Sequence, residues 1–226
     1  MILYDSENSV FLSTLISQSS IKHGFGTKDF NLSSLKNYIH PKQTHSDNIV
    51  VIDEKNRSSI NIENCDGLIT KIKNVMLTVI TADCVPIIFV DEKTGIIGIS
   101  HQGWKGTLNK LPAKMIDKML SIGVTLQNLY CLFGPAINDC CYEIYGERLS
   151  RFQKEFSSDS IFRKQKEKFF LNLYKANYLT LIKKGIPPQN IELFPFCTSC
   201  DSKRFYSYHR DKKIVGEMMS FVTIKK

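Results

Sequence analysis

The sequence of 226 residues has no apolar run long enough to span a membrane, and no N-terminal basic segment followed by an apolar one. We therefore expect a cytoplasmic protein without a membrane span or a secretory signal peptide. Internal repeats, low-complexity tracts and linkers are also lacking, which favours one domain over residues 1–226. Hydrophobic residues make up 42% and charged residues 23% of the chain, a composition typical of a globular protein and not of a disordered one.

No nucleic-acid-binding motif accompanies the net charge of +8. Much of the positive charge lies in the last third of the chain, for example in "RKQKEKFF" (163–170). We interpret it as a lysine-rich solvated surface and expect no nucleic-acid partner. A basic nucleic-acid-binding module remains an alternative, and its affinity would fall steeply with salt.

Cysteine is present seven times, an odd number, and in a cytosol these thiols are expected to be reduced. They can then pack, bind metal or react, but are not expected to form disulfides. "CTSC", from Cys197 to Cys200, has metal or redox spacing, although a structural zinc would need a second pair. Cys140 and Cys141 are adjacent, so we do not expect both to join one site. An ordinary turn is the favoured interpretation of "CTSC".

Strand-like and helix-like segments alternate along the chain, which predicts an α/β or α+β fold with a mixed sheet. "PIIFVD" and "IIGISH" are β-rich runs joined by a polar turn with glycine, a pattern that predicts a hairpin buried on both faces. Helices are expected over 108–123, ending at Gly123, and over 147–156 and 172–185. "HGFGTKDF" (23–30) is interpreted as a loop with glycine breaks.

The predicted hairpin has Cys84 before its first strand and His101 near the end of its second. Antiparallel strands joined by a short turn return the chain to its starting end, so these two side chains should lie close together. With His45 of "KQTHSDN" they would form a set of two nitrogens and one sulfur, which suits zinc or copper. Three protein ligands with a vacant fourth position are typical of a catalytic zinc. Packing or hydrogen-bonding roles for each residue remain open, because nothing local ties His45 to the others.

A second hypothesis makes Cys84 a nucleophile with His101 as its base, without a metal. Asp83 would then orient the imidazole, but neighbouring residues on a strand point to opposite faces, which counts against that role. Glu143 in "GPAINDCCYEI" is a candidate general base or hydrogen-bond acceptor for substrate. The alternative interpretation is that Glu143 is an ordinary solvated side chain.

Six motifs occur in one order from about residue 21 to the C-terminus: "KQTHSD", "CDGLIT", "TADCVPIIF", "SHQGWKGT", "GPAINDCCYEI" and "CTSC…RFYSYHRD". Together they resemble the YfiH-like laccase-domain family, whose members are known as polyphenol oxidases and as purine nucleoside phosphorylases. The resemblance implies layered mixed β-sheets with flanking helices, formed by duplicated β-α-β units. It also implies a metal site, usually zinc and in some cases copper, made by His45, Cys84 and His101.

The family activity implied is phosphorolysis of adenosine, inosine, guanosine and methylthioadenosine, with deamination of adenosine. A purine nucleoside and phosphate are then the expected partners of a monomer or homodimer. Lowering the pKa of water at the metal would supply the attacking group for deamination. Phosphorolysis needs cationic groups for phosphate and an acid for the departing base. Candidates for these binding and catalytic roles, taken from motif position, are Lys105, Arg210, Gln43, Glu143 and Asp83.

The sequence also departs from the family pattern at cationic positions. Lys105 and Lys28 replace arginines, and lysine cannot form the same two-pronged contact with phosphate. His209 replaces an arginine of "SYRRD", and Glu217 stands where a cation is common. These changes predict weak phosphorolysis or a different set of phosphate contacts. A copper-dependent phenol oxidase remains an alternative, although five histidines are too few for several copper centres.

Overall fold

The computed structural model describes residues 1–31, 38–57, 62–156, 159–212 and 216–225. Within these ranges no helix is long and apolar enough to cross a membrane. The strands are β1 (Ile2–Asp5), β2 (Val10–Ser13), β3 (Ile21–Gly26), β4 (Tyr38–Ile39), β5 (Ile49–Ile52), β6 (Gly67–Thr70), β7 (Met76–Thr81), β8 (Val85–Asp91), β9 (Ile96–Gln102), β10 (Leu129–Phe133), β11 (Glu143–Ile144), β12 (Phe162–Gln165), β13 (Lys168–Leu171), β14 (Ile191–Glu192) and β15 (Met218–Ile224). The helices are α1 (Trp104–Leu108), α2 (Leu111–Leu120), α3 (Gly146–Glu155), α4 (Leu173–Lys183) and α5 (Tyr208–Asp211).

Two large sheets and one small sheet contain these strands. The first has the order β1-β2-β3-β15-β7-β4, the second β14-β10-β8-β9-β6-β5, and the third β11-β13-β12. Parallel pairs occur between β4 and β7, between β5 and β6, and between β10 and β14, and the other pairs are antiparallel. The predicted mixed α/β architecture is therefore confirmed. Among the described residues, a β-α-β crossover joins β10 to β14 by way of α3 and α4.

The two large sheets face one another, with β7 and β15 of the first against β8 and β9 of the second. Helix α2 packs on the outer side of the second sheet, against β6 and β9, and α4 packs beside it. Every residue of β8 and β9 is buried, because both faces of these strands are covered. This is why both sequence runs are continuously apolar instead of alternating.

The predicted hairpin is present, and its register places Pro86 opposite His101. Gly95 in the turn has a φ of 67°, a conformation that glycine adopts without the steric cost of a side chain. The hairpin therefore brings the residue before β8 next to the end of β9, as the sequence predicted.

Two local predictions need correction. The helix expected over 108–123 is divided, because Lys110 adopts a left-handed conformation and α2 begins beside Pro112. The segment interpreted as a loop around "HGFG" is instead strand β3, paired with β15. Gly24 is needed there because a Cβ would lie 2.5 Å from Val10 Cγ2, so the absence of a side chain permits close packing within the sheet.

Candidate active site

Three side chains from separate parts of the chain meet at one wall of a cavity. The ligand atoms of His45, Cys84 and His101 all lie within 4.8 Å of one another. Cys84 Sγ is 3.7 Å from His45 Nε2. The ring centres of His45 and His101 are 4.8 Å apart, in an edge-to-face arrangement. His101 is buried, Cys84 is half-buried and His45 is exposed, so the cluster is reachable from the cavity.

His45 reaches the cluster because its loop is fastened at two points. The carboxylate of Asp66 accepts hydrogen bonds from the backbone N–H groups of Thr44, His45 and Ser46, at 3.2, 3.2 and 2.7 Å. His45 itself has a φ of 60°, a left-handed conformation that curls the backbone around this carboxylate. The side-chain amide of Gln43 forms two hydrogen bonds of 2.8 Å with the backbone of Ile80 on β7.

Asp66 also orients His101. The Nδ1–H group of His101 donates to Asp66 Oδ1 at 2.7 Å, and both side chains are buried. This bond fixes the tautomer of the ring and leaves Nε2 as the nitrogen free to act as a ligand or base. A carboxylate behind a ligating histidine raises its basicity as well as holding it in place.

The charges of the cluster reinforce one another. Burial alone would raise the pKa of Cys84, but the charge of His101 and hydrogen bonds from both imidazoles lower it to about 6. Burial would lower the pKa of His101, but the Cys84 thiolate and Asp66 raise it to about 9. Burial likewise opposes ionisation of Asp66, yet hydrogen bonds from His101 and Ser46 bring its pKa down to about 2. In the metal-free cluster, each of these shifts favours the charged form of its group.

The donor atoms fit a single tetrahedral metal ion. A zinc ion with ordinary zinc–sulfur and zinc–nitrogen bonds separates a thiolate sulfur from an imidazole nitrogen by about 3.6 Å. The observed separation of 3.7 Å between Cys84 Sγ and His45 Nε2 matches that value. Gly103 permits the approach of the ligands, because a Cβ there would lie 2.4 Å from His45 Cδ2 and 3.3 Å from Cys84 Sγ.

The cavity beside the cluster has a volume of about 880 Å³, which is within the range of small-molecule binding sites. Its walls carry the aromatic side chains of Trp104, Tyr142 and Tyr208. Arg148 of α3 reaches it from one side, with its guanidinium 4.6 Å from the centre of the Trp104 ring and a hydrogen bond of 3.1 Å to Tyr142 Oη. The other charged or titratable side chains in its lining are His40, Lys42, Glu63, Asp83, His209 and Glu217.

Asp83 lies at the cavity but does not contact His101. It sits in a bend between β7 and β8, with a φ of 88°, and not on a strand as the sequence suggested. Its carboxylate accepts hydrogen bonds from Thr198 Oγ1 at 2.6 Å, Ser207 Oγ at 3.0 Å and the backbone of His209 at 2.7 Å. Because both oxygens are engaged, Asp83 joins three loops, and the geometry gives no support to a proton-transfer role.

Three other expected site residues point elsewhere. The guanidinium of Arg210 donates to the carbonyls of Thr198 and Phe205 and to the Asp211 carboxylate, so its donors are not available to phosphate. Glu143 forms an ion pair of 3.0 Å with Lys168 in the small sheet. Glu143, Arg210 and Lys105 are absent from the cavity lining.

Of the positions that depart from the family pattern, His209 and Glu217 line the cavity. Lys28 donates to the carbonyl of Ser202 instead, at 3.3 Å. Gln43 lines the cavity too, but both ends of its amide bind the backbone of β7. Gln43 is thus an anchor for the His45 loop.

The sequence interpretation missed Asp66 and Arg148. Asp66 stands in the quoted motif "CDGLIT", but no role was assigned to it. Arg148 lies in "ERLSRFQKEF", which showed only an amphipathic helix. No local pattern marks either residue, because Asp66 acts on His101 and Ser46, which are 35 and 20 residues away, and Arg148 reaches the cavity beside the distant Trp104.

Two named proteins and one solved structure are similar to this chain over most of its length. A protein named Adenosine deaminase RL5, from an unknown prokaryotic organism, is 32% identical over 185 residues, covering 78% of this chain and 71% of that protein. Purine nucleoside phosphorylase CA_C1699 of Clostridium acetobutylicum is 32% identical over 238 residues, covering 98% and 94%. The crystal structure of hypothetical protein YfiH from Bacillus licheniformis is similar with a TM-score of 0.88 and 29% identity, covering 99% of each chain.

The sequence model of one family, described as "Multi-copper polyphenol oxidoreductase laccase", matches residues 27–225. The resemblance noted from the six motifs is thereby confirmed, and with it the expectation of layered mixed sheets. The family description and the cysteine and histidine cluster both indicate a bound metal. This chain belongs to the laccase-like family of multi-copper polyphenol oxidoreductases, the family that also includes proteins named purine nucleoside phosphorylase and adenosine deaminase.

Proposed function

We propose that this protein is a metal-dependent purine nucleoside phosphorylase that also deaminates adenosine. The observation that carries the proposal is the convergence of His45, Cys84 and His101 on one point beside a cavity of small-molecule size. The names of two relatives, at 32% identity each, support the two activities.

Zinc is the metal we propose for this site, held by His45, Cys84 and His101. Two nitrogens and one sulfur in tetrahedral positions, with room for a fourth ligand, are typical of catalytic zinc. When bound, such an ion acts as a Lewis acid and lowers the pKa of water, which is the chemistry that deamination requires. Asp66 keeps the His101 ring in the ligating orientation, and Gly103 leaves the space that the ligands need.

The remaining lining suits a purine nucleoside. Aromatic side chains such as Trp104 and Tyr142 offer flat apolar surface for the base. The guanidinium of Arg148 lies over the Trp104 ring and beside Tyr142 Oη, and its planar group can bind phosphate oxygens. Lys42 lies in the same cavity and forms an ion pair of 3.0 Å with Glu63; because this pair is exposed, an anion can compete for the lysine as a point charge. We therefore propose Arg148 and Lys42, and not Arg210 and Lys105, as the phosphate-binding cations.

To test the proposal, zinc-loaded protein is incubated with adenosine in the presence and absence of phosphate. We expect inosine in both reactions, because deamination uses water, and adenine with ribose 1-phosphate only where phosphate is present. If protein with a full complement of zinc gives none of these products, the proposed function is wrong.

A metal-free cysteine hydrolase is the second candidate, and one observation favours it. Cys84 lies beside His101, and the Asp66 carboxylate orients the His101 ring, with Asp66 in the place first considered for Asp83. His45→Ala separates the two candidates. It removes one metal ligand and should abolish the metal-dependent reactions, whereas a hydrolase that uses only the other three residues should remain active.

A copper-dependent phenol oxidase with several metal centres gains less support. His23 accepts a hydrogen bond from the backbone of Ser13 in the first sheet, and His40 bonds Thr78. In the described part of the chain, only one candidate metal cluster contains histidine. Oxygen consumption with phenols in copper-free and copper-supplemented buffer tests this alternative directly.

A further inference from the structure

A second cluster of metal-ligating side chains lies outside the proposed active site. The sulfur atoms of Cys140, Cys141, Cys197 and Cys200 all lie within 4.8 Å of one another. Cys200 Sγ is 3.5 Å from Cys140 Sγ and 3.3 Å from Cys141 Sγ, and none of these residues forms a disulfide. Four free thiols converge here from two segments that are more than fifty residues apart in sequence.

The cluster corrects the expectation that the adjacent Cys140 and Cys141 would not share a site. That expectation rested on their adjacency alone, but both residues lie in a turn before β11. The carbonyl of Asn138 accepts hydrogen bonds from the backbone of Cys141 at 3.0 Å and of Tyr142 at 2.9 Å, which closes this turn. In a turn, successive side chains are free to point to the same side.

The spacing of the sulfur atoms fits one ion. Four thiolates bound to zinc at ordinary zinc–sulfur distances stand about 3.8 Å apart in a tetrahedron. The separations of 3.3 and 3.5 Å and the upper limit of 4.8 Å fall on both sides of that value. A tetrahedral set of four sulfurs with no open position is typical of a structural zinc site.

The surroundings also suit a negatively charged thiolate centre. The backbone N–H of Asn138 donates to Cys197 Sγ at 3.3 Å, so the positive end of a backbone dipole points at this sulfur. The guanidinium of Arg163 donates to the carbonyl of Asp139 at 2.8 and 3.0 Å and lies 3.4 Å from the carbonyl of Cys140. It therefore places a positive charge beside the turn that carries two of the sulfurs.

We propose that Cys140, Cys141, Cys197 and Cys200 bind a structural zinc ion, separate from the metal of the active site. The ion joins the turn after β10 to the "CTSC" segment. Tyr142, next to the first pair, lines the cavity, and Thr198, within the second pair, donates to Asp83. The zinc thus stabilises one loop that contributes Tyr142 to the cavity wall and another that holds Asp83 in place, and it takes no part in the reaction.

Zinc counting by native mass spectrometry, on protein purified under reducing conditions without added metal, tests this proposal. Wild-type protein should hold two zinc ions per chain, Cys200→Ser one, and Cys84→Ser one. Cys200 is exposed, so its replacement by serine should not prevent folding. The matched control is Cys131→Ala, a cysteine buried in β10 away from both clusters, which should retain two ions.

Cobalt substitution in the Cys84→Ser variant isolates the second site. A cobalt ion held by four thiolates should give strong sulfur-to-metal charge-transfer absorption, and this absorption should disappear in Cys84→Ser/Cys200→Ser. Because no activity is measured, failure of the proposed enzyme function would leave this test unaffected. The proposal is overturned if wild-type protein holds a single zinc that Cys200→Ser keeps, if a disulfide links Cys200 to Cys140 or Cys141, or if the bound metal is iron.

Discussion

Replacing Asp66 with asparagine should weaken both the metal site and the fold, because this one carboxylate supports two of the three proposed ligands. Oδ1 accepts from His101 Nδ1 and from the backbone of His45, and Oδ2 accepts from the backbone of Thr44 and Ser46 and from Ser46 Oγ. Asparagine keeps the shape of the side chain but replaces one acceptor oxygen with an NH₂ group. In the orientation that keeps Oδ1 as the acceptor for His101, the backbone donors of Thr44 and Ser46 then face the NH₂ group.

The size of the effect follows from these contacts. A buried donor left without an acceptor costs about 1–3 kcal/mol, and the two affected N–H groups are only partly buried, so we expect the free energy of unfolding to fall by about 3 kcal/mol. Removing the group behind a ligating histidine typically lowers metal affinity by about 10–100-fold. We expect a loss in that range for zinc at the His45, Cys84 and His101 site.

Two measurements separate these effects. Urea denaturation of the metal-free proteins gives the change in stability, and competition with a chromophoric chelator gives the zinc dissociation constant. Asp47→Asn is the matched control, because Asp47 lies in the same loop but pairs with Lys114 at the surface. Its cost should stay below about 1 kcal/mol, with unchanged zinc affinity. If Asp66→Asn binds zinc as tightly as wild type, the role assigned to Asp66 is wrong.

Three further predictions concern the same site. Gly103→Ala should lower activity and zinc affinity, because its Cβ would lie 2.4 Å from His45 Cδ2, and unchanged values would contradict the packing argument. Arg148→Met should reduce phosphorolysis at least about tenfold, a loss of about 1.4 kcal/mol, and leave deamination within about twofold, measured by product chromatography. Arg151→Met, whose guanidinium lies 5.6 Å from the same Trp104 ring but outside the cavity lining, is the control, and equal losses would refute the assignment. The pKa of Asp66 is about 2 in the folded protein and 3.8 in the unfolded chain. The Asp66 carboxylate therefore contributes about 2 kcal/mol to the free energy of unfolding above pH 3.8, and this contribution is lost as the pH falls toward 2. Denaturation curves between pH 5 and pH 2 should show this loss in metal-free wild type but not in Asp66→Asn.

The amino-acid sequence by itself determined the β8–β9 hairpin and its consequence for Cys84 and His101. Continuous apolar runs around a glycine turn specify antiparallel strands, and antiparallel strands return to their starting end. The order of the six motifs was also enough to indicate the family and its layered mixed sheets. These features depend on contacts that are local or that repeat with a fixed period, so the sequence carries them directly.

Tertiary structure alone decided which polar groups meet. Asp66 lies 35 residues from His101, and Cys140 lies 60 residues from Cys200, yet each pair is in contact. Asp83 and Arg210 stand in motifs typical of a site, but the folded loops use their charges for hydrogen bonds within the protein. The physical reason is that a side chain's role depends on the partners that remain available after folding, and distant backbone groups compete for the same donors and acceptors.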